Sequence, residues 1–262
     1  MKKILFNFFL LLSAILVYAQ DTKNIVYDTK AEVRKVGEFK GIEVSNAIAL
    51  YLSQGREPAL AISAEENASN VKTEVVNGIL KIYVEGNFLK KWSRGDKMVK
   101  AYVTVKNIER IIANGGSQIR ITDKITSPDL KISLNGASNL KGEIQSDVLR
   151  MDFSGASSST ATLNCKTIRI DLSGASTGSF TGNADNLDID VSGASNLKAY
   201  DLVTAICSAE ASGASSVKVN VTKEFKKLEA SGASSIHYKG NANAKNVESS
   251  MASLHKKGFT II

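Results

Sequence analysis

From residue 130 onward, apolar and polar side chains alternate and then break off at a Ser-Gly-Ala-Ser corner, over and over. Leu130, Ile132 and Leu134 alternate with Lys131 and Ser133 before Gly136-Ala137-Ser138, and Leu149, Met151 and Phe153 with Arg150 and Asp152 before Gly155-Ala156-Ser157. Ile168, Ile170 and Leu172 alternate with Arg169 and Asp171 before Gly174-Ala175-Ser176. Further copies stand at 187–195, 207–215 and 226–234, a degraded one at 247–253 and an outlying early one at 111–117. The aligned positions are Gly115, Gly136, Gly155, Gly174, Gly193, Gly213, Gly232 and then Met251, so the steps are 21, 19, 19, 19, 20, 19 and 19 residues.

A period of two is that of a strand with one dry and one wet face, and it excludes a helix here. At about 3.3 Å per residue, one unit holds two or three short strands with turns and cannot bury its own apolar face. Stacking coil on coil solves this. The expected fold is all-β: a right-handed parallel β-helix, or β-solenoid, with about 19–20 residues per coil, its hand taken from the usual hand of parallel crossovers. Glycine and the following alanine predict a tight corner for small side chains. Ser138, Ser157, Ser176, Ser195, Ser215 and Ser234 predict a ladder passing hydrogen bonds between coils.

Before residue 111 the pattern is looser. Strands are predicted over 41–52, 59–63, 71–76, 79–84 and 98–106, with Asn77-Gly78 as a hairpin turn. Residues 20–110 are expected to form an N-terminal β cap and the first irregular coils, continuous as one domain with regular solenoid repeats over 111–262. Residues 1–19 read as a signal peptide: Lys2-Lys3 opens it, an apolar run follows from Ile4 to Tyr18, and cleavage is expected after Ala19. No second apolar run follows, so no transmembrane segment is expected after cleavage, and no cysteine at the cleavage point signals a lipid anchor. The expected address is the periplasm, the cell surface or the medium of a Gram-negative-type bacterium.

Loss of Lys2 and Lys3 takes the basic residues from 33 to 31 against 26 acids, a net charge of +5 instead of +7. This charge is spread among acids, which argues against a nucleic-acid partner. The one basic cluster, Lys90, Lys91, Arg94, Lys97 and Lys100 around Trp92, reads as a solvated hairpin loop, with an anionic-polymer patch as the alternative. Cys165 and Cys207 fall at different repeat positions about two coils apart, too far for a disulfide at a coil spacing near 4.8 Å, so free and mostly buried thiols are expected.

Three places before each glycine stand Asp152, Asp171, Asp190, Glu210, Glu229 and Glu248, an outward acidic column. It is the one candidate site, for a divalent cation or a glycan. Two places earlier, Lys131, Arg150, Arg169 and Lys227 offer counter-charge, so a solvated, salt-bridged face is the plainer reading. Gly174-Ala175-Ser176-Thr177-Gly178 has the form of a nucleophile elbow, but the other copies lack the closing glycine and no helix is expected after it. His237 and His255 read as surface residues without zinc-ligand spacing. Asp171 with Arg150 or Arg169 could be cast as a β-helix lyase pair, with proximity as the only support. The position after the serine varies, against the regular threonine rows of ice-binding solenoids. No catalytic residue, cofactor or metal is expected.

The segments Val36-Gly37-Glu38-Phe39-Lys40-Gly41-Ile42-Glu43-Val44, Ala64-Glu65-Glu66-Asn67 and Val76-Asn77-Gly78-Ile79-Leu80-Lys81-Ile82, with the recurring Ser-Gly-Ala-Ser, resemble the putative auto-transporter adhesin, head GIN domain family of bacterial exported proteins. The resemblance implies a right-handed β-helix and a role in adhesion or cell-surface interaction, and supplies no catalytic residues. The expected function is therefore a non-enzymatic adhesion or surface-interaction module. The alternatives are a periplasmic scaffold and, behind it, a polysaccharide-acting enzyme. Partners are expected among glycans, envelope or surface proteins, or a second copy joined through the solenoid ends.

Overall fold

The computed structural model describes residues 28–64, 70–86, 99–244, 247–250 and 253–256. The signal-peptide reading, most of the basic cluster around Trp92, Met251 and the segment 65–67 lie outside the described residues. The chain is all-β, as its alternation demands, and stacks into a β-solenoid of about seven turns.

Five strands carry the regular part: β9 (Gln118–Leu134), β10 (Asn139–Phe153), β11 (Ser158–Leu172), β12 (Thr177–Val191) and β13 (Asn196–Ala211), followed by β14 (Ser216–Ser231). Each bends around the coil and pairs in parallel with the next, so β10 meets β11 from Asn139↔Ser158 through Phe153↔Leu172. The nineteen-residue step thus becomes a register in which equal repeat positions are neighbours. The last described strands, β15 (Ser235–Lys239), β16 (Asn243–Ala244), β17 (Val247–Ser250) and β18 (Ser253–Lys256), continue the parallel stack.

Inward positions form the core in columns. Ile111, Ile132, Met151, Ile170, Ile189, Ala209 and Leu228 follow one another through the stack, all buried. Column members need not match in size. Gly178 lies beside Ser159 in register, and a side chain on it would collide with the Phe180 ring, 2.6 Å from an added Cβ. The phenyl group fills what the missing side chain leaves open, which keeps the interior close-packed.

The corner is held by backbone. Gly174 has φ +71°, and an added Cβ would lie 2.6 Å from the Gly155 carbonyl oxygen of the preceding coil. That oxygen accepts a hydrogen bond from the Ala175 amide at 2.7 Å, and the pattern repeats at Ala156, Ala194 and Ala214. Only the glycine is sterically confined: Ala156, Ala175 and Ala194 are exposed, which corrects the expectation that both residues are hemmed in. The serine ladder passes hydrogen bonds between coils as expected, but only in part. Ser138, Ser157, Ser176 and Ser234 donate mainly to the carbonyl three residues earlier in their own turn, at 2.7–2.8 Å. Coil-to-coil bonds are made as well, from Ser195 to the Gly174 carbonyl at 3.4 Å, from Ser215 to the Val191 carbonyl at 3.2 Å and from Ser234 to the Ala211 carbonyl at 3.0 Å. Buried hydroxyls must find an acceptor, and the tight turn offers a nearer one than the next coil.

The stack begins earlier than the glycine pattern suggests. The segment 41–52 is not one strand but two, β2 (Gly41–Val44) and β3 (Ala49–Gln54), broken where Asn46 and Ala47 take φ of 65° and 59°. The Ala47 amide donates to the Gly115 carbonyl at 3.1 Å, so Ser45-Asn46-Ala47 is a repeat corner with asparagine, a residue that tolerates the left-handed region, in place of glycine. β2 pairs in parallel with β8 (Arg110–Ala113), and β3 with β9. Between them the chain makes an excursion through β4 (Ala59–Ser63), β5 (Val71–Val76), β6 (Ile79–Val84) and β7 (Lys100–Val105). β6 and β7 lie on the opposite side of this first coil, parallel to β2 and β3. Beyond them the pairing turns antiparallel: β5 on β6 through the Asn77-Gly78 turn, β4 on β7, and β1 (Ala31–Arg34) on β4.

Candidate functional site

The acidic column is real as a geometric object. Asp152, Asp171, Asp190, Glu210, Glu229 and Glu248 are successive register partners across six coils. Ser133 precedes them, so the column begins at Asp152. Two residues back along the same strands run Arg110, Lys131, Arg150, Arg169, Asp188, Ser208 and Lys227. The basic column is therefore interrupted in the middle, where Asp188 and Ser208 replace cations.

Three of the cations bind acids of the column. Lys131 Nζ lies 2.5 Å from Asp152, Arg169 Nε 3.0 Å from Asp171, and Lys227 Nζ 2.9 Å from Glu210 and 3.0 Å from Glu229. Hydrogen bonds from Lys227 to both glutamates push its pKa up to about 12. Arg150 turns away to Asp129, and Arg169 also reaches Asp188 at 3.6 Å. Such exposed pairs each contribute little to stability, but they offset the repulsion that stacked carboxylates create.

Asp190 stands at the interruption. Partial burial first, then the neighbouring charges of Asp171 and Glu210, raise its carboxyl pKa above the usual value, with Arg169 pulling the other way. A shallow groove of about 320 Å³ runs beside it, lined by Asp152, Asp171 and Asp190 and by the outward Asn135, Ser154, Ser173 and Ser192. Asn135 Nδ2 donates to Asn114 Oδ1 at 2.9 Å, and Ser154 Oγ to Asn135 Oδ1 at 2.8 Å, so part of this polar row is already consumed internally. Among the described residues, no group of three or more His, Cys, Asp or Glu is arranged to hold a metal ion.

The other candidate chemistry dissolves on inspection. Ser176, centre of the elbow-like sequence, is buried and its Oγ donates to the Ser173 carbonyl at 2.8 Å; strand follows it, and the closing Gly178 makes room for Phe180. Asp171 and Arg169 satisfy one another, which leaves neither as a free proton acceptor. Cys207 is fully buried and Cys165 half-buried, both as free thiols; burial raises both pKa values, that of Cys165 to about 11, far from the reactive thiolate range. His237 and His255 are register partners with stacked rings, centroids 5.1 Å apart, a pairing that the sequence spacing did not disclose. Of the basic cluster only Lys100 is described; it begins β7, 3.9 Å from Asp28.

A family model described as "putative auto-transporter adhesin, head GIN domain" matches residues 38–242, well over half of the chain. Among curated proteins no sequence matches. Several solved structures share the fold. A protein of Parabacteroides distasonis described as a putative lipid binding protein superposes with a TM-score of 0.76 at 20% identity, covering 88% of this chain and 98% of its own. A putative adhesin from the same organism gives 0.78 at 18%, covering 86% and 95%, and one from Parabacteroides merdae gives 0.74 at 15%, covering 87% and 95%. At these identities the likeness is one of fold.

Proposed function

Since the chain belongs to the putative auto-transporter adhesin, head GIN domain family, we propose that it is an exported, non-enzymatic surface-interaction module that engages its partner through an outer face of the solenoid. The observation behind this reading is the in-register stacking of outward side chains across successive coils. It produces long, flat, chemically striped faces suited to an extended partner such as a glycan or an envelope protein, where an enzyme would need one converging cleft. The description of the solved neighbours as putative adhesins supports the same reading.

A second reading, a periplasmic scaffold that assembles through its ends, draws on the terminal strands. β17 and β18 pair on one side only among the described residues, as do β1 and β5 at the opposite end. Unpaired strand edges are templates for further strands. Protease treatment of intact and permeabilised cells of the source bacterium, with a periplasmic marker as control, separates the two. The surface module is digested in intact cells; protection until permeabilisation would overturn the adhesion reading and leave the scaffold.

A further inference from the structure

The outer face that carries β3, β7 and β9 differs from the acidic face in both shape and charge. One outward row crosses six adjacent strands as Val33, Ala61, Tyr102, Tyr51, Arg120 and Lys141, each in register with the next. Its first four members are apolar or aromatic and its last two are cations.

The apolar part floors a trough of about 440 Å³. Tyr51 and Tyr102 stack with ring centroids 5.1 Å apart and an interplanar angle of 24°, and Val33, 82% exposed, stands on the far bank beside Ala61. A large hydrophobe left in water at a concave site is a feature that calls for a ligand more than a scattered surface valine does.

Most of the trough's polar side chains bond within the protein, with Asp123 at its edge. Ser53 and Thr104 bond each other at 3.0 Å, and Thr122 donates to the Leu52 carbonyl at 3.2 Å. The Gln54 amide donates to the carbonyls of Lys106 and Thr126 and accepts from the Thr126 amide at 2.8 Å. The Tyr102 hydroxyl donates to Asp28 at 2.9 Å. A sugar would require partners for its hydroxyls, and these groups are occupied; a hydrocarbon chain requires none.

At the other side of Tyr51 the surface drops into a smaller depression of about 90 Å³, whose rim includes Gln118, Arg120, Asn139 and Lys141. Arg120 and Lys141 are exposed and engaged in no ion pair among the described residues, unlike Lys131, Arg169 and Lys227 of the acidic face. A planar guanidinium with an ammonium one coil away is suited to a carboxylate.

We propose that the trough and the depression together form a binding site for a single-chain anionic amphiphile, a fatty acid, with its acyl chain over Tyr51 and Tyr102 and its carboxylate at Arg120 and Lys141. The inference does not depend on adhesion or on which side of the outer membrane the protein resides. Tyr51 belongs to both halves and joins them.

Calorimetric titration of the whole protein with decanoate below its micellar concentration tests the proposal, with decanol and a galacturonate oligosaccharide as comparison probes. Saturable decanoate binding is expected. The double variant Arg120→Gln/Lys141→Gln, confined to exposed side chains, should weaken decanoate by about tenfold and leave decanol unchanged. Val33→Asp, at a position already in water, should weaken both by about tenfold. Absence of decanoate binding overturns the proposal. So does galacturonate binding that Arg120→Gln abolishes while decanoate fails to bind, which would mark a saccharide site. A dimer that dissociates on Val33→Asp, without decanoate binding, would mark the trough as a contact between copies and overturn it as well.

Discussion

Between β10 and β12 each paired residue meets the one at its own repeat position a coil away, whereas β3 lies between strands outside that strict repeat: Asp152 meets Asp171, but Tyr51 lies between Tyr102 and Arg120. Repetition multiplies whatever a position contributes. A small residue at a corner makes a continuous seam, and a carboxylate makes a like-charged stack that needs cations beside it. The uniform region is therefore strong in architecture and poor in chemistry. The irregular end, assembled from an excursion out of the first coil, brings unlike groups together, and it is there that an apolar trough meets two cations without ion pairs among the described residues.

The contrast is broken most severely at the corner glycines. Gly174→Val places a branched side chain at φ +71° with its Cβ 2.6 Å from the carbonyl of the coil before, and should cost at least about 3 kcal/mol in urea-induced unfolding. Gly78→Ala tests the same backbone conformation without the stack: φ is +73° but nothing lies within 4 Å, and the expected cost is about 1 kcal/mol. Equal losses would show that conformational strain, and not coil-on-coil contact, holds the corner.

Much of the repetitive region was legible because its signals are local. The alternation of Ile168, Ile170 and Leu172 and the fixed glycine step specify strand, register and stacking together. The first coil was not, because Ser45-Asn46-Ala47 performs the corner with asparagine, and because the excursion 55–109 separates that coil in sequence from the one it stacks upon. The acidic column could be read from its spacing, but its gap in counter-charge required seeing Asp188 stand where Arg169 stands one coil earlier. The trough left no sequence signal at all. Tyr51 and Tyr102 are far apart in the chain and meet only because β7 lies parallel to β3 after the excursion.

Smaller effects sharpen the comparison inside the core and at the two ends. The Ser159 hydroxyl is buried without a hydrogen-bond partner beside Gly178, so Ser159→Ala should raise stability by about 1 kcal/mol in the same unfolding assay. At the far end of the stack, His237 faces His255 from β18 and Lys218 from β14, with Lys239 and Tyr238 on its own strand. Burial, then His255 and Lys218, lowers its pKa below the usual value. A histidine depressed in the folded state costs nothing when neutral, so stability should hold above the unfolded value near 6.5 and fall as acid protonates it. The protection factors of the 235–239 amides, with the intrinsic pH dependence of exchange divided out, should fall on acidification in the wild type and respond less in His237→Gln, while those of β10 and β11 hold steady.

The smallest expected effect lies within the acidic column, and it distinguishes a repeated position from its environment. Asp152 and Asp190 occupy the same repeat place, yet Lys131 holds the first at 2.5 Å, whereas beside the second the basic column has given way to Asp188. A carboxyl whose pKa is raised by folding destabilises the folded state once ionised; the cost is absent below the unfolded value near 3.8 and fully present above the folded one. Asp190→Asn should therefore stabilise the protein at neutral pH by a few tenths of a kcal/mol, and the gain should vanish in acid. Asp152→Asn should lose a similar amount at neutral pH, because it discards an ion pair without relieving crowding. If both substitutions stabilise equally, like-charge repulsion along the whole column outweighs its cations, and the interruption at Asp188 has no special place in the electrostatics of this face.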